Sequence, residues 1–224
     1  MNKLKVASIL TAFIIISTLG ITFSYYQGYN EGHKSGYVGA LTDVRNYADI
    51  DFEWTDNGDG TYSVNVWSNN KLVGSGTAEA HVLIQHYRDG QLLSADHHAG
   101  TITNLGLDWI EVKLSSTQNA TQIAKYISCS NDATAPDVAW IQLIDEIATN
   151  GLTRAEGDYT STGVGTWTIV EAFSVTGTQS VQLYGLQWDS FSMNGNSLLC
   201  ADTSAQKNCV DGDTLTVTWT ITVT

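Results

Sequence analysis

Thr214–Val223 reads TLTVTWTITV. Leu215, Val217, Trp219, Ile221 and Val223 alternate strictly with Thr214, Thr216, Thr218, Thr220 and Thr222. An unbroken period of two predicts a β-strand with one face bound for a core and a threonine ladder on the other; no helical period fits it. Working upstream, Thr166–Val175 and Ser180–Phe191 are long enough for strands and are set apart by Gly, Asn and Asp clusters.

The same signal continues toward the N-terminus. Asp49–Trp54 and Thr61–Trp67 read as a hairpin around Asp56-Asn57-Gly58-Asp59-Gly60. That loop is no EF-hand: Thr55 and Val66 fall where carboxylate ligands are required. Ala80–Tyr87 and Gln91–His98 flank Asp89-Gly90, a dipeptide suited to the positive φ angles of a type I′ turn. Counting outward from it sets His81 opposite His98 and Val82 opposite His97. His81 and His98 are thus the weak metal candidates, two ligands with no third group nearby, and no metal site is expected of them. Leu107–Leu114 and Trp140–Ala148 read as short helices, with a strand near Ala124–Ser130 between them.

Composition narrows the function classes. The net charge is −13, with ten basic residues thinly scattered, so nucleic acid is excluded as a partner because phosphate contacts need clustered Lys and Arg. No G-x-S-x-G, H-E-x-x-H, C-x-x-C or P-loop occurs, which argues against an enzyme and against a cofactor. The paired carboxylates Asp145-Glu146 are an ordinary surface feature. Seven tryptophans, Trp54, Trp67, Trp109, Trp140, Trp167, Trp188 and Trp219, are stacking platforms for glycans or, more plainly, core filling.

The first fifty residues set the address. Val6–Phe23 carries no charge and is about as long as a helix needs to cross the roughly 30 Å bilayer core. Lys3 and Lys5 precede it, which places the N-terminus in the cytoplasm and the rest outside. A cleaved secretory signal is the alternative, with Thr22 and Ser24 as small residues before Tyr25. Beyond the run, Tyr25, Tyr29, His33 and Tyr37 recur every four residues, as do Gly28, Gly32 and Gly36, with Gly39 offset. On a helix the glycines form a ridge without side chains that lets two backbones approach, an assembly surface flanked by Tyr25, Tyr29 and Tyr37. A flexible stalk is the plain alternative.

Cysteine use suits an oxidising compartment. Cys200 and Cys209 flank ADTSAQKN, a spacing for a disulfide across a hairpin; Cys129 with Cys200 is the rival pairing. Asn119-Ala120-Thr121 is the single N-glycosylation sequon, and Asn119 the candidate site.

Tyr126–Val223, with YISCSNDATAP, EIATNGLTRAEGDYT, TWTIVEAFSV, VQLYGLQW and DGDTLTVTWTITV in that order, resembles a β-rich domain of structural and appendage proteins of tailed phages and archaeal viruses, and of related archaeal surface proteins. The resemblance implies a surface-exposed structural module. The overall architecture is also similar to that of a type IV pilin, without the pilin processing motif: Lys5 is followed by Val6 and Ala7, and no Glu precedes Glu31.

The expected fold is therefore mainly β: an N-terminal hydrophobic α-helix with its Gly/Tyr extension over 1–48, then an antiparallel β-sandwich, Ig-like or jelly-roll-like, over 49–224. Its finer division is two sheet units, 49–115 and 124–224. The expected function is non-enzymatic self-assembly at a cell or virion surface, with copies of itself and a membrane (through residues 6–23) as partners. A membrane-anchored adhesin binding glycans is the alternative.

Overall fold

The longest strand, β3 (Lys71–Arg88), is the spine of the molecule. The computed structural model describes residues 50–68, 70–115, 123–190 and 196–224. Around β3 lie β1 (Ile50–Asp56), β2 (Thr61–Ser68), β4 (Gln91–Ile102), α1 (Asn104–Ser115), β5 (Tyr126–Ser130), β6 (Ala155–Glu156), β7 (Asp158–Gly163), β8 (Thr166–Ser174), β9 (Gln179–Gln187), β10 (Leu198–Cys209) and β11 (Thr214–Val223). The protein is mainly β, and every strand pairing is antiparallel. Along one side of β3, β2 covers residues 71–79 and β4 covers residues 80–88, end to end; β11 covers the other side. The sheet then runs β6-β5-β9-β10-β4-β3-β11-β8-β7.

The two ends of that path meet in sequence. Only Gly157 separates β6, at one end, from β7, at the other. Its N–H donates to the Lys125 carbonyl at 2.7 Å, and a Cβ there would lie 2.7 Å from Ile169 Cγ2 and 2.9 Å from the Val170 oxygen. Glycine is what lets the chain turn so tightly against β8. Side chains from both halves of the path, Val82, Ile84, Ile169 and Trp219 with Ile127, Cys129, Tyr184 and Leu186, share one core. Trp219 is its largest fully buried member, lying over Gly100, where a Cβ would be 2.6 Å from the indole.

The strand expected over Thr214–Val223 forms with those bounds, its apolar set buried from Leu215 to Ile221. Helix α1 begins earlier than Leu107 because Thr103 caps it: Oγ1 accepts the Gly106 N–H at 2.9 Å. Trp140–Ala148 is not a helix. Asp145 sits at φ 45°, Ile147 N–H donates to the Cys129 carbonyl, and Glu146 bridges Ser130, so the segment lies against the sheet edge instead. Residues 49–115 and 124–224 do not form separate units, since β3 pairs with β11 and β4 with β10.

The β3–β4 register also differs from the count. A bulge adds Leu93 between the pairs Tyr87↔Leu92 and His86↔Ser94. One extra residue moves every later side chain to the other face. His98 therefore faces Val82 on the inner side, while His81 lies outside, stacked on His97 with ring centroids 5.5 Å apart. His81 and His98 do not share a site.

All three cysteines are buried and free. ADTSAQKN is strand, not loop: Cys200 and Cys209 lie near the two ends of β10 and have no hairpin to staple. Cys129 and Cys200 sit on β5 and β10 with β9 between them. Two interstrand spacings, about 9.5 Å, exceed the reach of a disulfide. No helix among the described residues is long and apolar enough to cross a membrane. Residues 6–23, Tyr25, Gly28, Tyr29, Gly32, Gly36, Tyr37 and Asn119 lie outside the described residues.

Candidate functional site

Strands β4 and β10 pair only at Ile102↔Cys200 and Thr101↔Ala201, then part. The wedge between them is lined by inward positions of β4, and these are polar. Where β3 presents Ala80, Val82 and Ile84, its partners on β4 are Gly100, His98 and Asp96. Three polar layers follow along the seam.

In the first, His98 and Asp202 each bury a polar atom, Nε2 and Oδ2, with no hydrogen-bond partner among the described residues. Burial pushes the Asp202 carboxyl up to about 6, and the nearby His98 offsets part of that rise. In the second, Lys207, a residue only 3% exposed, pairs its ammonium with Asp96 across the wedge.

The third closes the seam. Asp213, in the turn between β10 and β11, accepts Arg88 Nε on Oδ1 at 2.8 Å. Its Oδ2 meets Arg88 Nη2 at 2.8 Å, His86 Nε2 at 2.8 Å and the Val210 N–H at 2.9 Å. The Arg88 fork, with the Val210 amide and His86 adding to it, holds the Asp213 carboxyl well below the usual carboxylate range. Cys209 lies beside it, and the ligand atoms of His86, Cys209 and Asp213 are all within 4.8 Å of one another.

A nitrogen, sulfur and oxygen donor set of this kind suits zinc on chemical grounds. The surroundings do not. Both Asp213 oxygens are held by a guanidinium, which would stand against any cation placed among the three. Burial, and then Asp213, push the Cys209 thiol up to about 11, so without a metal it stays protonated at neutral pH. The cluster acts as a lock that fastens the β10–β11 turn onto the end of β3.

A second lock holds the segment that resembles a helix in sequence. Arg154 donates Nε and Nη2 to the two Glu146 oxygens at 2.9 and 2.6 Å, and Nη1 to the Asp189 carbonyl at 2.9 Å. Both side chains are buried. Glu146, in sequence half of an ordinary surface pair, is the inward member.

The tryptophans sort toward packing. Trp219 is fully buried; Trp54, Trp109, Trp167 and Trp188 pack against the main core, Trp140 against a smaller cluster, and Trp67 donates its indole N–H to Glu53. Trp109 and Trp188 stack at 5.9 Å. Of the seam residues, the sequence singles out only His98 and Cys209, each in another role; His86 sits at the inward position that follows Ala80, Val82 and Ile84 and carries no motif. Comparison with family models, curated proteins and solved structures finds no match.

Proposed function

We propose that this chain is a non-enzymatic structural protein that assembles with copies of itself at a surface, as a subunit of an extracellular, pilus-like filament or of a virion. In this reading the described strands form a two-layered β-sandwich, Ig-like or jelly-roll-like, held outside the membrane. Val6–Phe23 anchors it, with the N-terminus cytoplasmic, and the glycine ridge of Gly28, Gly32 and Gly36 packs helix on helix. The observation that carries the proposal is the uncharged run Val6–Phe23, leading directly into that ridge, at one end of an acidic β body. Two features support it. The resemblance of Tyr126–Val223 to viral and archaeal structural domains points the same way, and the buried charges of Asp213, Glu146, Arg154 and Lys207 are spent on ion pairs that hold the fold.

The test is replacement of Gly28, Gly32 or Gly36 by Leu. Leucine raises intrinsic helix propensity by up to about 1 kcal/mol per site, yet holds two backbones apart. A packed interface loses its oligomers, seen by electron microscopy and crosslinking. A passive stalk keeps them, and that outcome removes the helix from the assembly. N-terminal sequencing separates an anchored chain from one cleaved before Tyr25. The glycan-binding alternative draws little support from tryptophans packed against the core.

A further inference from the structure

The strands that end the sheet are unlike one another. β1 carries Asp51, Glu53 and Asp56. β6 is two residues long, with Glu156 held by Lys125. β7 (DYTSTG) is exposed along its whole length, and its only charge is Asp158. From Tyr159 to Val170 no residue is charged, so the hairpin carries only Asp158 and Glu171, near its open end, and β7 past Asp158 is neutral in a chain of net charge −13. Two apolar side chains stand in water there: Tyr159 is 50% exposed, and Val164, in the hairpin turn, 91%.

An edge strand offers unpaired N–H and C=O groups, and proteins usually guard such edges with Lys, Pro or inward charges. Past Asp158, β7 has none of these; its one irregularity lies between Ser161 and Gly163. We infer that β7 is a self-association strand, pairing antiparallel with β7 of a second copy of this chain. A second copy is favoured over a head-to-tail contact with β1, which would set Asp158 against an edge carrying Asp51, Glu53 and Asp56. The inference rests on the self-assembly reading but uses a surface separate from the N-terminal segment.

Symmetry restricts the register. A two-fold axis normal to the sheet keeps each side chain on its own face, so one residue must lie opposite its own copy. The β7–β8 ladder is regular over Asp158–Ser161, and of its two middle residues Thr160, in line with Thr168 and Thr220, is taken as the centre. Tyr159 then meets Ser161, and Asp158 meets Thr162, with no like charges opposed. The row Thr220, Thr168, Thr160 continues into the partner's Thr160.

Cysteine crosslinking in the full chain tests this, because the native cysteines are buried. Under mild oxidation Thr160→Cys links two copies by itself. Tyr159→Cys and Ser161→Cys link when mixed, and each alone stays at the background set by the exposed control Thr153→Cys. The links vanish when oxidation is done in urea. Equal linking at 153, 159 and 160, or none at 160, overturns the inference. Repeating Thr160→Cys with Gly28, Gly32 and Gly36 changed to Leu separates the two contacts. A link that survives loss of larger assemblies places self-pairing on β7 and growth on the helix; large assemblies with no link leave the helix reading standing and remove this one.

Discussion

Two regions of one interior are built on opposite terms. Beneath β11 the core is dry: Leu215, Val217, Trp219 and Ile221 pack with Ala80, Val82, Ile84 and Ile169. Across the same sheet, where β4 leaves β10, the inward positions are His98, Asp96 and Asp202, and the seam is closed by Lys207, Arg88 and Asp213. The backbone is the same antiparallel ladder in both. A ladder specifies only which side chains face inward. What fills the space is set by neighbours: methyl and indole groups where the strands stay paired, and matched charges where they diverge and leave room for polar heads.

The contrast breaks most sharply at Trp219. Trp219→Ala removes the largest fully buried side chain and should cost about 3–5 kcal/mol, read from urea unfolding. The loss should be the same at low and high salt; a loss that salt alters greatly would mean that the dry region leans on the seam.

Asp213→Asn comes next. It removes charge from hydrogen bonds to Arg88 and His86, at a cost of about 1.5–3 kcal/mol at neutral pH. Because the folded carboxyl is held below its ordinary value of 3.8, its stabilising contribution is complete above about that pH and fades as the solution becomes more acid. Unfolding midpoints of parent and variant should differ at pH 7 and converge in strong acid. A constant gap would show that the residue acts by shape and not by charge.

Asp202→Asn should have the opposite sign. The folded carboxyl is raised from 3.8 to about 6, so the folded state holds the extra proton between those values and loses stability as pH rises through them. Asparagine stays neutral throughout. Calorimetry should find the variant melting a few degrees higher at pH 7.5 and level with the parent at pH 3.5. The smallest effect belongs to Thr218→Ala, one residue from Trp219 on the outer ladder, which should fall within about 0.5–1 kcal/mol.

The same divide explains what could be read from sequence. β11, β8, β2 and most of β1 are legible because their inward positions are mainly apolar, although β1 runs two residues past Trp54. The central stretch of β10 is not: ADTSAQKN resembles a loop because its inward residues, Asp202 and Lys207, face a polar seam, and so Cys200 and Cys209 look like the stems of a hairpin. The bulge at Leu93 leaves no mark in composition, yet it reverses the face of His98 and with it the histidine pairing. Trp140, Leu143, Ile144 and Ile147 have helical spacing, but Leu143 and Ile147 are buried by a segment that hydrogen-bonds to β5. No periodicity marks Arg88 and Asp213 as partners, since 125 positions separate them.

That separation has a kinetic side. β11 occupies the place between β3 and β8, and its contact with β3 spans the sequence distance of 127 between His86 and Asp213. Closing so large a loop brings no reward until it is complete, so the search is slow compared with formation of the β3–β4 and β7–β8 hairpins. While it lasts, β3 and β8 each expose a bare edge beside apolar side chains. Such intermediates are open to wrong partners in other copies. Refolding yield should therefore fall steeply as protein concentration rises, even though the finished sheet keeps that central edge covered.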